Sequence, residues 1–328
     1  MTLCLRGKKG FSLISLVQLG TVDYASGLRL QQQLVDLRKE QKIGDVLVLL
    51  EHSPVITLGR NAKAANVVAS PELLAQRGVE LFECDRGGDV TFHGPGQIVG
   101  YPIFDLRGFA TPDGKRKTLG AVEFVRRLEE VLIRTCADFA IPTKRVPGLT
   151  GAWTDAGSHD AHVGTAAPGC PVEQSSTATA DNTPEYIGKE DRQGHDFSRA
   201  EKTPGREPAS AAEVRPEAKL AAIGVHISRF VTSHGFALNV NTDLSYFNLI
   251  IPCGITAKPV TSMQQELGRE LDLNAVAESI SRNFGTVFSG QMLWVDTLDA
   301  LLGRTVGVPM KPPAEIRQLH KEDGTTWA

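Results

Sequence analysis

A cysteine on a constrained turn is the first residue of the sequence that could carry out chemistry. Cys253 lies in the segment Ile-Ile-Pro-Cys-Gly-Ile, residues 250–255, which has neither helix nor strand periodicity. The preceding proline restricts the backbone, and the following glycine leaves it approachable. This setting favours a reactive thiol, with a partly buried loop cysteine as the alternative.

A lysine supplies a possible activator for that thiol. Lys219 opens the strand-like segment Lys-Leu-Ala-Ala-Ile-Gly at residues 219–224. An ammonium group close to a thiol favours the thiolate, which is the form that performs nucleophilic attack. Lys219 and Cys253 would then form a chemically sensible pair, although a lysine at the start of a strand is usually a solvated end residue.

A glycine-rich segment is the third feature that points to a site. Residues 86–97 read Arg-Gly-Gly-Asp-Val-Thr-Phe-His-Gly-Pro-Gly-Gln. The glycines let the backbone approach a bound group, and Arg86, Thr91, His93 and Gln97 could donate hydrogen bonds to it. The alternative is a pair of tight turns between two strands, because a glycine-rich loop alone is weak evidence.

Composition excludes several classes of protein. The 328 residues are 41% hydrophobic and 22% charged, with a net charge of -3, as in ordinary globular proteins that bind neither nucleic acid nor anionic membranes. The five cysteines form no CxxC pair and show no metal-ligand spacing, so we expect neither a metal site nor a disulfide framework. No apolar stretch approaches the roughly 20 residues that span a bilayer. We therefore predict a cytoplasmic protein.

The elements around these residues mix strands and helices without regular alternation, which favours an α+β fold with a mixed sheet.

Residues 155–216 are poor in large apolar side chains and predict a flexible insertion. Cys136 lies with Val122 on the apolar stripe of a helix and is expected in the core. Periodicity predicts strands at residues 11–19, 46–50, 55–58, 79–84, 98–104, 220–230 and 233–240, and helices at 23–42, 71–78, 118–139 and 276–288.

Taken together, these segments resemble the lipoyl(octanoyl) transferase family. The resemblance covers most of residues 12–290 outside the insertion, which is longer than the connection usual in the family. It rests on the segments RGGDVTFHGPGQ with the following YPI, GLTGAW at residues 148–153, KLAAIG, HGFALNVNTDL at residues 234–244, and IIPCGI.

The resemblance implies a fold like the catalytic domains of biotin and lipoate protein ligases. One domain would cover residues 1–310, interrupted by the insertion at 155–216 and followed by a polar tail at 311–328. It also implies a reaction without a cofactor or metal. Octanoyl would pass from octanoyl-acyl carrier protein to a lysine in lipoyl domains of 2-oxoacid dehydrogenase complexes or in glycine cleavage H protein.

By the same resemblance, Cys253 matches the acyl-thioester nucleophile and Lys219 matches the residue that activates it. Lys219, once neutral, is also a candidate base for the incoming amine. The implied acyl-substrate site comprises Arg86, Gly87, Gly88, Asp89, Val90, Thr91, Phe92, His93, Ala222, Ile223, Gly224, Gly235, Phe236 and Ala237.

Three other functions remain open. An ATP-dependent lipoate ligase on the same fold would need no nucleophilic cysteine, whereas Cys253 is present here. A non-catalytic partner of carrier proteins or lipoyl domains would have no use for a thiolate and its activator. A thiol hydrolase could use His93 or His234 as a base, but no Cys-His-Asn spacing supports that scheme.

Overall fold

The computed structural model describes residues 12–109, 118–155, 216–254 and 258–301. The predicted insertion, apart from its end residues Asp155 and Pro216, and the predicted tail lie outside these ranges, as do Cys170 and Ile255. Strands on either side of residues 156–215 are direct neighbours in one sheet. The described residues before and after the gap therefore belong to the same unit.

The described strands form two sheets. Eight strands make a mixed sheet in the order β11-β1-β2-β6-β10-β9-β8-β7, and three make a smaller sheet in the order β4-β3-β5. The strands are β1 (Ser12–Val22), β2 (Asp45–His52), β3 (Val55–Leu58), β4 (Glu80–Glu83), β5 (Val90–His93), β6 (Gln97–Ile103), β7 (Thr143–Val146), β8 (Leu149–Thr154), β9 (Lys219–Ser228), β10 (Val231–Asn239) and β11 (Gly290–Trp294).

Helices cover both faces of the large sheet. The helices are α1 (Tyr24–Lys39), α2 (Pro71–Gln76), α3 (Ala121–Asp138), α4 (Met263–Leu267), α5 (Leu273–Phe288) and α6 (Leu298–Leu301). α1 packs its buried face over one side of the sheet, while α3 and α5 pack against each other and over the other side. None of the helices in the described ranges is both long and apolar enough to cross a bilayer.

Local sequence explains where the main helices begin. α1 begins after Asp23, whose carboxylate accepts a hydrogen bond from the backbone N–H of Ser26 at 2.9 Å. α5 begins after Asp272, which caps the N–H of Asn274 in the same way at 2.9 Å. Such side-chain oxygens satisfy backbone donors that the helix itself leaves unpaired. Both helices are thereby fixed over opposite faces of the sheet.

Strands β9 and β10 form a hairpin that is central to the site. Their connection, Arg229-Phe230, has φ values of 50° and 70°, as a two-residue turn with left-handed backbone requires. β10 continues the sheet against β6, and β9 against β8. β10 therefore lies between β6, which begins at the end of the glycine-rich segment, and β9, which begins at Lys219.

The predicted α+β mixed-sheet fold is confirmed, and so are the predicted strands and helices in the described ranges. Patterning missed β5, β7, β8 and β11, which have at most six residues each and show little alternation. Cys136 is buried in the core as predicted. Val122 is not, because at the first turn of α3 it remains 75% exposed.

A buried carboxylate ties α3 to the strand beside Lys219. Glu129 is fully buried, and it accepts hydrogen bonds from the Gly151 backbone at 3.2 Å and from the guanidinium groups of Arg126 at 2.7 Å and Arg145 at 3.1 Å. Pairing with these donors compensates the cost of removing a charge from water. α3 thus holds β8 in place at the point where it passes Lys219.

Candidate active site

The side chains of Lys219 and Cys253 are in contact. The ammonium Nζ of Lys219 lies 3.1 Å from Sγ of Cys253, and the ammonium donates a hydrogen bond to the sulfur. Lys219 is buried and Cys253 is partly buried. The two residues are 34 positions apart in the chain, and the fold brings their side chains within hydrogen-bond distance.

The backbone of Lys219 is fixed from two sides. On one side it pairs with Trp153 of β8. On the other, its N–H donates to the carbonyl of Pro259 at 2.8 Å, and its carbonyl accepts from the N–H of Thr261 at 3.0 Å. The ammonium also lies 5.1 Å from the centre of the Trp153 ring, a cation–π distance. The backbone of Lys219 is therefore hydrogen-bonded on both sides while its side chain contacts Cys253.

Gly151 leaves room for the lysine side chain. A Cβ at this position would clash with the carbonyl oxygen of Ala221 and approach Cε of Lys219 to 3.2 Å. Its φ of 124° also disfavours any residue with a side chain. Gly151, the second glycine of the GLTGAW segment, is thus required by the close approach of β8 and β9.

Cys253 lies on a strained turn. It has φ 55° and ψ 19°, the left-handed region that residues other than glycine rarely adopt. The turn is closed by the N–H of Gly254, which donates to Ile251 at 3.0 Å, and is tied to the neighbouring loop by the N–H of Ile251, which donates to Asn66 at 2.7 Å. The Asn66 amide in turn donates to Asp89 at 2.6 Å. The glycine-rich segment therefore supports the turn that presents the thiol.

A cavity of about 510 Å³ extends from the Lys219–Cys253 pair. This is within the usual range for small-molecule sites. All of the acyl-site residues expected from the resemblance line it except Val90 and Phe92. The β9–β10 wall contributes residues without polar side chains, namely Ala222, Ile223, Gly224, Gly235, Phe236 and Ala237.

Val90 and Phe92 correct one part of the expected site. Both are buried in an apolar cluster with Leu74 and Phe247, on the side of the small sheet away from the cavity. Successive side chains of a strand point to opposite faces, so within β5 only Thr91 and His93 reach the cavity. The expectation treated residues 86–93 as one loop and thus missed this alternation.

Arg86 holds the glycine-rich segment rather than offering free donors to a ligand. Its Nη2 donates to the backbone carbonyls of Thr57 and Asp89, at 2.7 Å each, and its Nη1 donates to that of Gly87 at 3.1 Å. The N–H of Gly87 in turn donates to Val225 in β9 at 3.1 Å. The glycine-rich segment is therefore hydrogen-bonded both to the small sheet and to the β9–β10 hairpin, and it lines one side of the cavity.

A buried chain of hydrogen bonds links His93 to Thr261, in the segment that bonds to the backbone of Lys219. The Asn239 amide donates to the carbonyl of Thr261 at 2.9 Å, so its oxygen accepts from the Gln97 amide at 2.8 Å. The Gln97 oxygen must then accept from Nδ1–H of His93 at 2.7 Å. Burial, above all, lowers the pKa of His93 to about 3. His93 is therefore a neutral imidazole with its proton on Nδ1.

Aromatic side chains support this histidine. Tyr24 of α1 stacks parallel to His93, with 6.4 Å between ring centres. His52 donates through Nδ1 to the Val22 carbonyl at 2.8 Å and accepts a hydrogen bond from the Tyr101 hydroxyl. Burial lowers the pKa of His52 to about 4 and raises the pKa of both tyrosines. The group is uncharged at neutral pH.

Several lining residues were not anticipated as site residues. Gly148, Leu149 and Thr150 belong to the GLTGAW segment, which signalled the family but was assigned no role. Tyr24 and Val125 come from helices whose periodicity indicated only packing. His234, which the sequence suggested only as a possible base of a thiol hydrolase, also lines the cavity.

Comparisons with known proteins agree with this arrangement. The family model described as the lipoyl protein ligase A/B catalytic domain matches residues 23–285. The chain belongs to this family. Its octanoyltransferase relatives include that of Koribacter versatilis (strain Ellin345), 50% identical over 311 residues, which are 95% of this chain and 98% of the relative. That of Acidobacterium capsulatum is 48% identical over 292 residues, 88% of this chain and 96% of the relative.

Solved structures of lipoate ligases share the fold of this family member. The bipartite lipoate protein ligase of Thermoplasma acidophilum aligns with a TM-score of 0.52 at 12% identity, covering 95% of this chain and 93% of that one. LipL1 of P. falciparum, solved with lipoate, aligns with a TM-score of 0.52 at 10% identity, covering 88% and 67%. The predicted family resemblance and the transferase class of the enzyme are thereby confirmed.

Replacing Gly151 by alanine should separate Lys219 from Cys253. The new Cβ must push β8 away from the Ala221 carbonyl and Lys219, so the thiol loses its ammonium partner. We expect alkylation of Cys253 by iodoacetamide at pH 7 to slow by about tenfold, as followed by peptide mass spectrometry. Gly268→Ala is the matched control, since Gly268 has φ 68° but open space around it. Equal alkylation rates in the two variants would contradict the assignment.

The buried histidines should make the protein sensitive to mild acid. In the unfolded chain they titrate near pH 6.5, whereas His52 and His93 resist protonation until about pH 4 and 3. Their stabilising contribution is complete above pH 6.5 and is lost as the pH falls, by about 2 kcal/mol per histidine at pH 5. Urea denaturation at pH 7, 6 and 5 measures this loss. His52→Asn should weaken the dependence of the urea midpoint on pH. A wild-type midpoint that stays constant between pH 7 and pH 5 would contradict this role of the buried histidines.

Proposed function

We propose that this enzyme transfers an octanoyl group from octanoyl-acyl carrier protein to a specific lysine of lipoyl domains, through a thioester on Cys253. The observation that carries the proposal is the 3.1 Å contact between Lys219 Nζ and Cys253 Sγ at one end of the cavity. Binding a substrate would not by itself require an activated thiol. The relatives are named octanoyltransferases, which supports octanoyl as the acyl group that is transferred.

The reaction would proceed in two steps. The Cys253 thiolate attacks the carbonyl carbon of the donor thioester, and the carrier thiolate leaves and takes a proton from the Lys219 ammonium, giving the acyl-enzyme and a neutral Lys219. The amine of the acceptor lysine then attacks the acyl-enzyme, Cys253 leaves as a thiolate, and an amide forms. The amine must lose a proton in this step, and Lys219 in its neutral form is the base nearest the thiol. No nucleotide or metal takes part in either step.

The partners and setting belong to the same proposal. Lipoyl domains of 2-oxoacid dehydrogenase complexes and glycine cleavage H protein would be the acceptors. The structure of the Thermoplasma acidophilum ligase is described together with its E2 lipoyl domain, which supports an acceptor of this kind. A reducing cytoplasm would keep Cys253 free. We also propose one catalytic domain over residues 1–310, with residues 155–216 as an insertion and 311–328 as a tail.

The acyl-enzyme is the intermediate that tests the proposal. When the protein is mixed with octanoyl-loaded acyl carrier protein without ATP, intact mass spectrometry should show one octanoyl adduct. Cys253→Ser should abolish this adduct and octanoyl transfer. Cys84→Ser should retain both, because Cys84 lies outside the cavity lining with its thiol bonded to the Leu58 carbonyl. An adduct that persists in Cys253→Ser, or that requires ATP, would support a different mechanism, such as that of an ATP-dependent lipoate ligase.

Replacement of Lys219 should slow formation of the acyl-enzyme. Lys219→Met keeps most of the apolar stem of the side chain but removes the ammonium that contacts Cys253. We expect the rate of adduct formation, measured by quenched flow and mass spectrometry, to fall by at least about tenfold. Lys258→Met is the control, because Lys258 also lies over the Trp153 ring but is paired with Glu217. Similar rates in wild type and Lys219→Met would remove Lys219 from the mechanism.

A further inference from the structure

His234 has an unusual backbone for a residue within a strand. It lies in β10 with φ 55°, in the left-handed region. Its pairing partner in β9 is Val225, which packs against the core beneath α3 and α5. Residues directly opposite each other in antiparallel strands share a face, so a regular strand would direct the imidazole toward that core. Instead, Nε2 of His234 lies 2.7 Å from Asp85, a carboxylate that also contacts His226 on the other face of β9.

Two contacts maintain this strained conformation, one of them buried and the other partly exposed. The His234 N–H donates to the side-chain oxygen of Gln31 in α1 at 2.7 Å. Burial lowers the pKa of the imidazole, against the opposing effect of the Asp85 carboxylate, so the neutral ring donates through Nε2–H. Backbone strain of this kind persists only where the surroundings enforce it, often at functional sites. The conformation places the imidazole in the cavity wall.

The strand register separates the imidazole from the thiol along the cavity wall. β9 runs from Lys219 past Ala222 and Gly224 to Val225, and β10 runs alongside it from Ala237 past Gly235 to His234. The side chain of Lys219 reaches along β9 to the level of Ala221, because a Cβ on Gly151 would touch both the Ala221 carbonyl and Cε of Lys219. Val225 lies four positions after Ala221, which corresponds to about 13 Å along an extended strand. An apolar chain attached to Cys253 would therefore follow a wall of small residues and meet the imidazole of His234 at its far end.

We propose that His234 sets the length of the acyl chain that the cavity accepts. The inference rests on the proposed function, in which Cys253 carries the acyl group. The ring is anchored by Asp85, which is in turn held by His226, and the Arg60 side chain lies 3.2 Å from the other ring nitrogen of His226. A longer chain would have to displace the anchored imidazole or bury methylene groups against its polar edge, both of which are unfavourable. His234 would thus act as a specificity-determining residue.

Substitutions that tolerate a positive φ test this role without adding strain. His234→Gly removes the ring and leaves space at the end of the cavity, and His234→Asn shortens the side chain. Gln41→Gly is the matched control, because Gln41 has φ 58° at the end of α1, outside the cavity lining. Transfer is measured with carrier protein loaded with octanoyl, decanoyl or dodecanoyl groups. Binding of the three free fatty acids is measured in parallel by calorimetry.

We expect His234→Gly to raise the decanoyl-to-octanoyl ratio of kcat/KM by about tenfold, since two more methylene groups become buried. His234→Asn should give a smaller rise, and Gln41→Gly should match wild type. If octanoyl transfer continues but both His234 variants keep the wild-type ratio, the inference is wrong. If wild type transfers no acyl group, the proposed function fails, and the fatty-acid affinities alone then decide whether His234 limits chain length.

Discussion

The contact between the ammonium of Lys219 and the sulfur of Cys253 is the interaction on which the rest of the site depends. Neither residue is placed by its own element alone. Lys219 is held by β8 on one side and by residues 259–261 on the other. Cys253 is held by a turn that is hydrogen-bonded to Asn66, whose side chain is in turn hydrogen-bonded to Asp89. The large sheet, the small sheet and the loops between them must all be in place before the two groups meet. The fold thus supplies pre-organisation rather than unusual chemistry.

Two non-glycine residues in the cavity wall, Cys253 and His234, adopt left-handed backbone conformations, and each is enforced by neighbours from other elements. Both conformations redirect a side chain that regular structure would point elsewhere. In Cys253 the result is a thiol presented to Lys219, and in His234 an imidazole on the cavity side of β10. The unfavourable free energy of this backbone strain is offset by burial of the apolar clusters on either face of the sheet.

The fold class and most of the cavity lining could be predicted from the sequence because long motifs carry them, and the same motifs contain Lys219 and Cys253, which the structure brings into contact. Short strands such as β5 and β7 lack enough residues for a reliable period, so their faces could not be assigned. Val90 and Phe92 illustrate the consequence, since both lie within a motif yet point away from the cavity. The position of His234 was also beyond prediction, because strand alternation favours the other face, and only the contacts with Gln31 and Asp85 reverse it.

The buried hydrogen bonds connect the glycine-rich segment to the segment that holds Lys219. Backbone carbonyls accept only, so the carbonyl of Thr261 fixes the orientation of Asn239, which fixes that of Gln97 and then the protonated nitrogen of His93. Thr261 also donates its N–H to Lys219. A movement of β5 would therefore break a buried bond or strain the segment that clamps Lys219, and both are costly where water cannot substitute. The cavity wall and the Lys219–Cys253 pair are consequently joined by one continuous set of contacts.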